Sequence, residues 1–204
     1  MSPAPPRIGI DRFVDADWME LAAAVVRQEM SIAGLHARLA ADIPGVQVQR
    51  KTIGIINRMW FPQEPNAREL TTLAAAMAIA DDAQRVAAFD AVAILAYPYF
   101  RQVVETLGRL LRLQGSCTSG EVHRRMFEQH GKRTTIDQAT SYCFKTLVSW
   151  KMIERSADQR IVAATPRVLN APAKRLLDRA ANLSRHSVTP LQPADPLLFP
   201  FRHS

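Results

Sequence analysis

The residues with the richest potential chemistry lie between positions 115 and 143. Four of them are ligand types for zinc: Cys117, His123, His130 and Cys143. Their spacing matches no zinc-binding pair, and Cys143 falls on the apolar side of the helix expected around it. We therefore interpret these side chains as structural and predict no metal site.

No complete catalytic motif is present in this region either. Gly115 and Gly120 have the spacing of a phosphate-binding loop, but Glu121 stands where that loop needs a lysine, and the segment follows a helix rather than a strand. Cys117 has no partner arrangement of a nucleophile, and His36 is isolated in a helix. We predict a protein that is not an enzyme, with no cofactor and no small-molecule substrate.

A polar stripe on one predicted helix is the strongest functional signal. A helical wheel centred on Ile136 places these residues inward: Ile136, Ala139, Thr140, Cys143, Leu147 and Trp150. The opposite face holds Thr134, Gln138, Ser141, Tyr142, Lys145 and Ser149. It contains no carboxylate, since Asp137 lies to one flank. Amide and hydroxyl groups can hydrogen-bond base edges, and Lys145 can bind a guanine edge or a phosphate.

Positive charge surrounds this stripe. The cations are Arg124, Arg125, Lys132 and Arg133 before the helix, Lys151 at its end, and Arg155 and Arg160 beyond it. Residues 99–186 hold 16 Lys/Arg against 7 Asp/Glu, whereas residues 1–98 hold 9 against 11. This asymmetry indicates a module that binds a polyanion, joined to a near-neutral scaffold. The alternative is that these cations only solvate helix faces.

The elements around the stripe predict a winged helix. Three helices and a strand hairpin follow one another over residues 103–163, and Thr118 with Glu121 forms a capping-box pattern. Thr134 or Thr135 is expected to cap the stripe's helix, which runs to about Lys151. This order would place the stripe in the major groove and the hairpin, residues 152–163, on the DNA backbone.

The N-terminal part predicts three short helices that resemble a helix-turn-helix. They run from a cap at Asp17 to about Met30, onward from Ser31, and from about Gln49 to Trp60. The third helix carries a second polar stripe, Arg50, Gly54, Asn57 and Arg58, with Lys51 beside it. We take Arg50, Lys51, Asn57 and Arg58 as a possible second nucleic-acid site. The alternative is an ordinary solvated helix face.

The whole chain is predicted to be mainly α: a helical bundle scaffold with an N-terminal trihelix and a C-terminal winged helix. A helix capped by Asn66 runs over 67–80, and others cover 83–97, the stretch after Pro98, and about Pro172–Arg185. The predicted segments are a loose 1–14, the trihelix 15–62, the scaffold 63–102, the winged helix 103–165, a basic helix 166–187, and an extended, proline-rich tail 188–204 that packs on a neighbour.

Composition restricts the setting. The 204-residue chain has only two cysteines, so no disulfide framework is indicated. Its apolar runs are too short to span a bilayer, and its first residues do not form a secretory signal. We expect a cytoplasmic protein without membrane contact.

From Trp18 to Val162 the sequence resembles the BrxA family of BREX phage-defence systems. The likeness follows an order of features: Ser31-Ile-Ala-Gly-Leu-His, Ile55-Ile-Asn-Arg-Met-Trp60, Ala93-Ile-Leu-Ala-Tyr-Pro-Tyr-Phe100, and then Thr118–Val162. The resemblance implies an all-helical body with helix-turn-helix elements that binds DNA within an antiviral defence complex. It supplies no residue list of its own.

These observations favour a DNA-binding accessory protein that contacts duplex DNA and other defence-complex proteins. One alternative is an adaptor whose winged helix docks on another protein subunit. Another is RNA binding by the helical body, with a preference for single-stranded or structured RNA.

Overall fold

The computed structural model describes residues 8–203, except the side chain of His203. Over that range the chain is mainly helical, as predicted, with two small two-stranded sheets. The first three helices are α1 (Ala16–Val26), α2 (Ile32–Asp42) and α3 (Val46–Trp60). The middle of the chain forms α4 (Pro65–Met77), α5 (Asp82–Ala96) and α6 (Pro98–Gln114). None of the described helices is long and apolar enough to cross a bilayer.

The next elements carry the predicted stripe. They are α7 (Ser119–His130), α8 (Thr134–Ser149) and the strands β1 (Ile153–Arg155) and β2 (Ile161–Ala163). The strands pair antiparallel, which confirms the predicted hairpin. Cys117, just before α7, forms an isolated antiparallel bridge with Ile161. The start of α7 is therefore joined to the hairpin.

Helix α5 lies at the centre of the molecule because its residues from Val86 onward are apolar, with the exception of Asp90. Nine consecutive residues, from Val86 to Ile94, are buried. A helix that is apolar all round must be covered on every side, and α3, α4, α6 and a ninth helix, α9 (Ala171–Arg185), pack against it. Ala173, Ala180 and Ala181 are buried on α9, and side chains this small let two helices approach closely.

The C-terminal tail folds back onto its own chain, so the prediction of an extended tail on a neighbour is wrong. Leu191, Leu197, Leu198 and Phe201 are buried. A 3₁₀ turn (Pro196–Leu198) packs on α6, and β4 (Phe201–His203) pairs in parallel with β3 (Arg167–Leu169). The physical reason is the tail's leucines and phenylalanines, which find apolar partners within the same molecule.

The N-terminal segment is also better packed than predicted. Ile10 and Val14 are fully buried, so residues 8–14 are not loose. The rest of the predicted loose segment, residues 1–7, lies outside the described residues. Buried apolar side chains anchor this segment against the body.

The structure confirms one of the predicted helix caps and contradicts others. The Thr118–Glu121 capping box of α7 is confirmed. Asp15, not Asp17, caps α1, because its carboxylate accepts the Asp17 N–H at 3.0 Å. Helix α4 begins at Pro65 after Glu64, so the expected Asn66 cap is wrong. Arg133 precedes α8 without a side-chain cap, so neither Thr134 nor Thr135 caps it.

Candidate nucleic-acid interface

Helix α8 is fixed in rotation by its apolar face. All six residues that the wheel placed inward are buried: Ile136, Ala139, Thr140, Cys143, Leu147 and Trp150. The Tyr99 hydroxyl from α6 meets the Thr140 hydroxyl at 2.7 Å, and the Trp150 ring packs on Phe89 and Phe100. The opposite face of α8 is consequently held toward the surface.

The exposed part of that face is shorter than predicted. Thr134, Gln138 and Lys145 are exposed, but Ser141 and Tyr142 are only partly so. Arg12 from the N-terminal segment lies over the Tyr142 ring, 5.7 Å from its centroid, and Lys145 lies 5.6 Å from the same centroid. The Tyr142 ring therefore contacts two cations and does not project alone into solvent.

The N-terminal segment covers the C-terminal end of the stripe. The Val14 N–H donates to the Thr146 hydroxyl at 3.0 Å. The Ser149 hydroxyl accepts the Ala16 N–H at 2.9 Å and donates to Asp15 at 3.1 Å. Ser149 is thus occupied within the fold, so the prediction that it faces outward with the stripe is wrong for this residue. Sequence reasoning missed these contacts because the two segments are far apart in the chain.

Five of the predicted cations have no carboxylate within ion-pair distance among the described residues: Lys132, Arg133, Lys145, Lys151 and Arg155. All five are exposed. Arg133 donates to the His130 carbonyl at 2.9 Å, and Arg155 donates to the Gln159 carbonyl at 3.2 Å. Neutral carbonyls leave the positive charge of these side chains uncompensated.

The other three predicted cations have partners. Arg124 and Arg125 both lie near Glu128, at 4.0 and 3.3 Å. Arg160 donates to the Ser116 hydroxyl at 2.7 Å and lies 3.9 Å from Glu121. Arg160 thereby ties the hairpin to the start of α7. Exposed ion pairs of this kind are weak, so Arg124 and Arg125 can exchange Glu128 for another anion at little cost.

Comparison with family models, with curated proteins and with solved structures finds no match. The interface must therefore be interpreted from its own geometry.

The buried groups near the interface are poor candidates for metal binding or nucleophilic chemistry. Burial raises the pKa of the Cys117 thiol to about 11 and raises that of Cys143 further. Both thiols therefore stay protonated near neutral pH, whereas metal binding and nucleophilic attack need the thiolate. Among residues 8–203 no group of three or more His, Cys, Asp or Glu side chains is arranged to hold a metal ion.

A cleft beside α8 was not predicted from the sequence. It has a volume of about 580 Å³ and is lined by Phe13, Ser119, His123, Ser141, Phe144, Lys145, Val148 and Arg155. Only Ser141, Lys145 and Arg155 were among the predicted site residues. The one clue in the sequence is Val148, a valine that lies outside the inward face of the predicted helix. Phe13 could not be anticipated, because it reaches the cleft from the distant N-terminal segment.

The possible second site on α3 is mostly engaged in internal contacts. Lys51 pairs with Asp11 at 3.1 Å, and Asn57 lies 3.3 Å from His36. The Arg58 guanidinium lies over the Tyr97 ring, 5.2 Å from its centroid. Arg50 is exposed and has no ion pair within the described part of the chain. The structure thus brings these four residues to one helix but leaves only Arg50 uncommitted.

Proposed function

We propose that this protein binds duplex DNA through the exposed face of α8. The observation that carries the proposal is the set of five exposed cations without carboxylate partners on and beside that helix: Lys132, Arg133, Lys145, Lys151 and Arg155. Uncompensated positive charge next to a neutral polar helix face is what phosphate contacts and base contacts together require.

The arrangement of elements supports a winged helix over residues 98–163. Helices α6, α7 and α8 are followed by the β1–β2 hairpin, and an isolated bridge between Cys117 and Ile161 joins the segment before α7 to that hairpin. In such a module the third helix enters the major groove and the hairpin lies beside it. In this proposal α8 takes the place of that third helix.

Within this proposal the side chains divide by role. Thr134 and Gln138 are exposed on α8 and would contact base edges, and the exposed Lys145 would contact a base edge or a phosphate. Lys132 and Arg133 before the helix, Lys151 after it and Arg155 on the hairpin would contact phosphates. Tyr142 would act mainly by positioning Lys145, because its ring already contacts that ammonium group.

We further propose that the protein serves as an accessory component of a phage-defence system. The resemblance to the BrxA family supports this role, and the near-neutral helical body supplies surface for other defence-complex proteins. The cytoplasm is the compartment in which such a protein would meet phage DNA.

The variant Lys145→Ala tests the DNA-binding proposal. Loss of this ammonium should weaken binding by about 1–3 kcal/mol if it contacts a base, and more uniformly across sequences if it contacts a phosphate. Fluorescence anisotropy on labelled duplexes of differing sequence measures the effect.

Arg175→Ala is the matched control, because Arg175 is an exposed cation on α9 outside the proposed interface. If both variants weaken binding equally, the interface is not where we place it.

A protein-interaction adaptor is the second candidate function. It is favoured by exposed apolar side chains, namely Leu113 at 83% and Val148 at 45% exposure, which lie at the end of α6 and on α8. Docking through these side chains predicts that a partner subunit is retained after nuclease treatment and at high salt. Replacing Val148 with Asp should then release the partner, which a co-purification experiment detects.

A further inference from the structure

The cleft beside α8 differs from an ordinary phosphate-contacting surface. Residues from the N-terminal segment, α7, α8 and β1 line it, and its volume of about 580 Å³ lies within the usual range for small-ligand clefts. Two of its lining residues, Lys145 and Arg155, belong to the five uncompensated cations.

Part of the cleft lining is apolar. Phe13 is partly exposed and is held by an edge-on contact with Trp18, with 5.7 Å between ring centroids. Phe144 is almost fully buried, and Val148 is 45% exposed. An aromatic ring and a valine left partly in water form a surface on which a flat apolar ring would gain by burial and stacking.

The rest of the cleft lining is cationic and polar. Lys145, Arg155 and Ser119 contribute to it, together with His123 and Ser141, whose ring Nε2 and hydroxyl lie 3.5 Å apart. No carboxylate is among the residues that line the cleft, although Asp137 lies 2.8 Å from Nδ1 of the lining His123. A fitting occupant therefore combines a flat ring, edges that form hydrogen bonds, and an adjoining negative charge. A nucleotide has all three.

We propose that this cleft receives one unpaired nucleobase of a bound nucleic acid. The base lies against Phe13 and Val148, and the neighbouring phosphates contact Lys145 and Arg155. The inference rests on the proposed DNA-binding function and names the preferred ligand of the same face: a duplex with an extrahelical base. A base that is already outside the stack needs no further energy for unpairing, so such a duplex binds more tightly than a perfect one.

The test compares three labelled duplexes of one sequence by fluorescence anisotropy at matched salt. The first is perfectly paired, the second carries one bulged nucleotide, and the third carries the same bulge without its base. The bulged duplex should bind about tenfold more tightly than the other two, a size typical of one base stacked on an aromatic side chain.

Two variants locate the preference. Phe13→Ala removes the stacking surface, and Val148→Asp places a carboxylate in the cleft at an already exposed position. Both should bring the ratio of the two dissociation constants, perfect over bulged, close to one. Arg175→Ala on α9 should keep the wild-type ratio. The ratio is informative even if Phe13→Ala loses stability, because a loss of folded protein affects both duplexes equally.

The outcomes separate this inference from the proposed function. Equal binding of perfect and bulged duplexes by the wild type overturns the base-binding cleft and leaves duplex binding intact. The cleft is also overturned by a preference that survives both variants, or by one that the duplex with a baseless bulge shares. Absence of binding to every duplex overturns the proposed function together with this inference.

Discussion

Among the described residues, Asp90 is the carboxylate with the least exposure to solvent. It is fully buried in α5, and neither of its side-chain oxygens has a hydrogen-bond partner. Burial alone raises its pKa from 3.8 to about 8, because the charged form loses its hydration and gains no compensating contact. At neutral pH the folded protein therefore holds Asp90 as the neutral acid.

This residue predicts how stability changes with pH. The folded state keeps the Asp90 proton up to about pH 8, whereas the unfolded chain loses it near 3.8. The unfolded state thus binds fewer protons in this window, and the free energy of unfolding falls as pH rises through it. The Asp90 contribution to the slope should approach about 1.4 kcal/mol per pH unit. Denaturant unfolding of the wild type and Asp90→Asn at pH 5 and pH 7.5 measures it.

Asp90→Asn should remove most of this slope, because a neutral amide cannot ionise. Asp17→Asn makes the same chemical change at an exposed position of α1 and should retain the wild-type slope. Parallel behaviour of the wild type and Asp90→Asn across the two pH values would contradict a neutral Asp90.

At the scale of elements, α6 and the C-terminal tail depend on a close backbone approach. Gly108 is buried in α6, and a Cβ built there would overlap the carbonyl oxygen of Pro196 in the 3₁₀ turn. Gly108→Ala should therefore push the tail away and lower the free energy of unfolding by about 1–3 kcal/mol. Denaturant unfolding measures the loss.

Gly54 offers a matched control within α3, because a Cβ there would meet no atom within 4 Å. Gly54→Ala should stabilise the protein by about 0.5–1 kcal/mol, since alanine loses less backbone entropy than glycine in a helix. If Gly108→Ala is as well tolerated as Gly54→Ala, the tail does not pack on α6 as described.

The tail is also held by a cluster of charges. Arg185 on α9 donates to Glu105 on α6 and to Asp195 in the tail, each at 2.8 Å, and Arg101 donates to Glu105 at 2.8 Å. The side chains of Glu105 and Asp195 are largely buried. Arg185→Ala would leave buried carboxylates undercompensated and should cost about 3–5 kcal/mol. Limited proteolysis should then cleave the tail sooner than in Arg175→Ala, which lacks an exposed cation of the same helix.

Which elements could be predicted depended on the range of the contacts that form them. The inward face of α8, the α7 capping box and the hairpin follow from local periodicity or short motifs, and each is confirmed. The N-terminal segment contacts α8 across 132 residues of sequence, and no local pattern encodes that pairing. The parallel β3–β4 pair joins strands on either side of α9 and was missed for the same reason.

The same distinction between local patterns and long-range contacts applies to the candidate site. The wheel identified Gln138 and Lys145 as exposed, because rotation of α8 is set by its own apolar face. It could not show that Ser149 is covered, that Arg160 is tied to Ser116, or that Phe13 lines the same cleft as Val148. These facts depend on other elements packing against the helix.

At the scale of the whole molecule, the formal charge of +7 is unevenly distributed. Most of the excess positive charge lies between residues 99 and 186, where 16 Lys/Arg face 7 Asp/Glu. On α9, however, Arg179 pairs with Glu69 and Lys174 pairs with Asp178. Among the described residues, the five cations around α8 have no carboxylate partner, and neither do Arg109, Arg112 and Arg175 of the same segment. In the proposed function, the five around α8 supply the positive charge that attracts a polyanion.

The salt dependence of duplex binding tests this account most directly. If all five uncompensated cations around α8 contact phosphates, the logarithm of the binding constant should fall with the logarithm of salt concentration at a slope of roughly −4 to −5. Anisotropy over a salt series gives the slope, and competition with single-stranded DNA and RNA at matched salt should leave the duplex preferred. A flat salt response, or no duplex binding below tens of micromolar, would contradict the account.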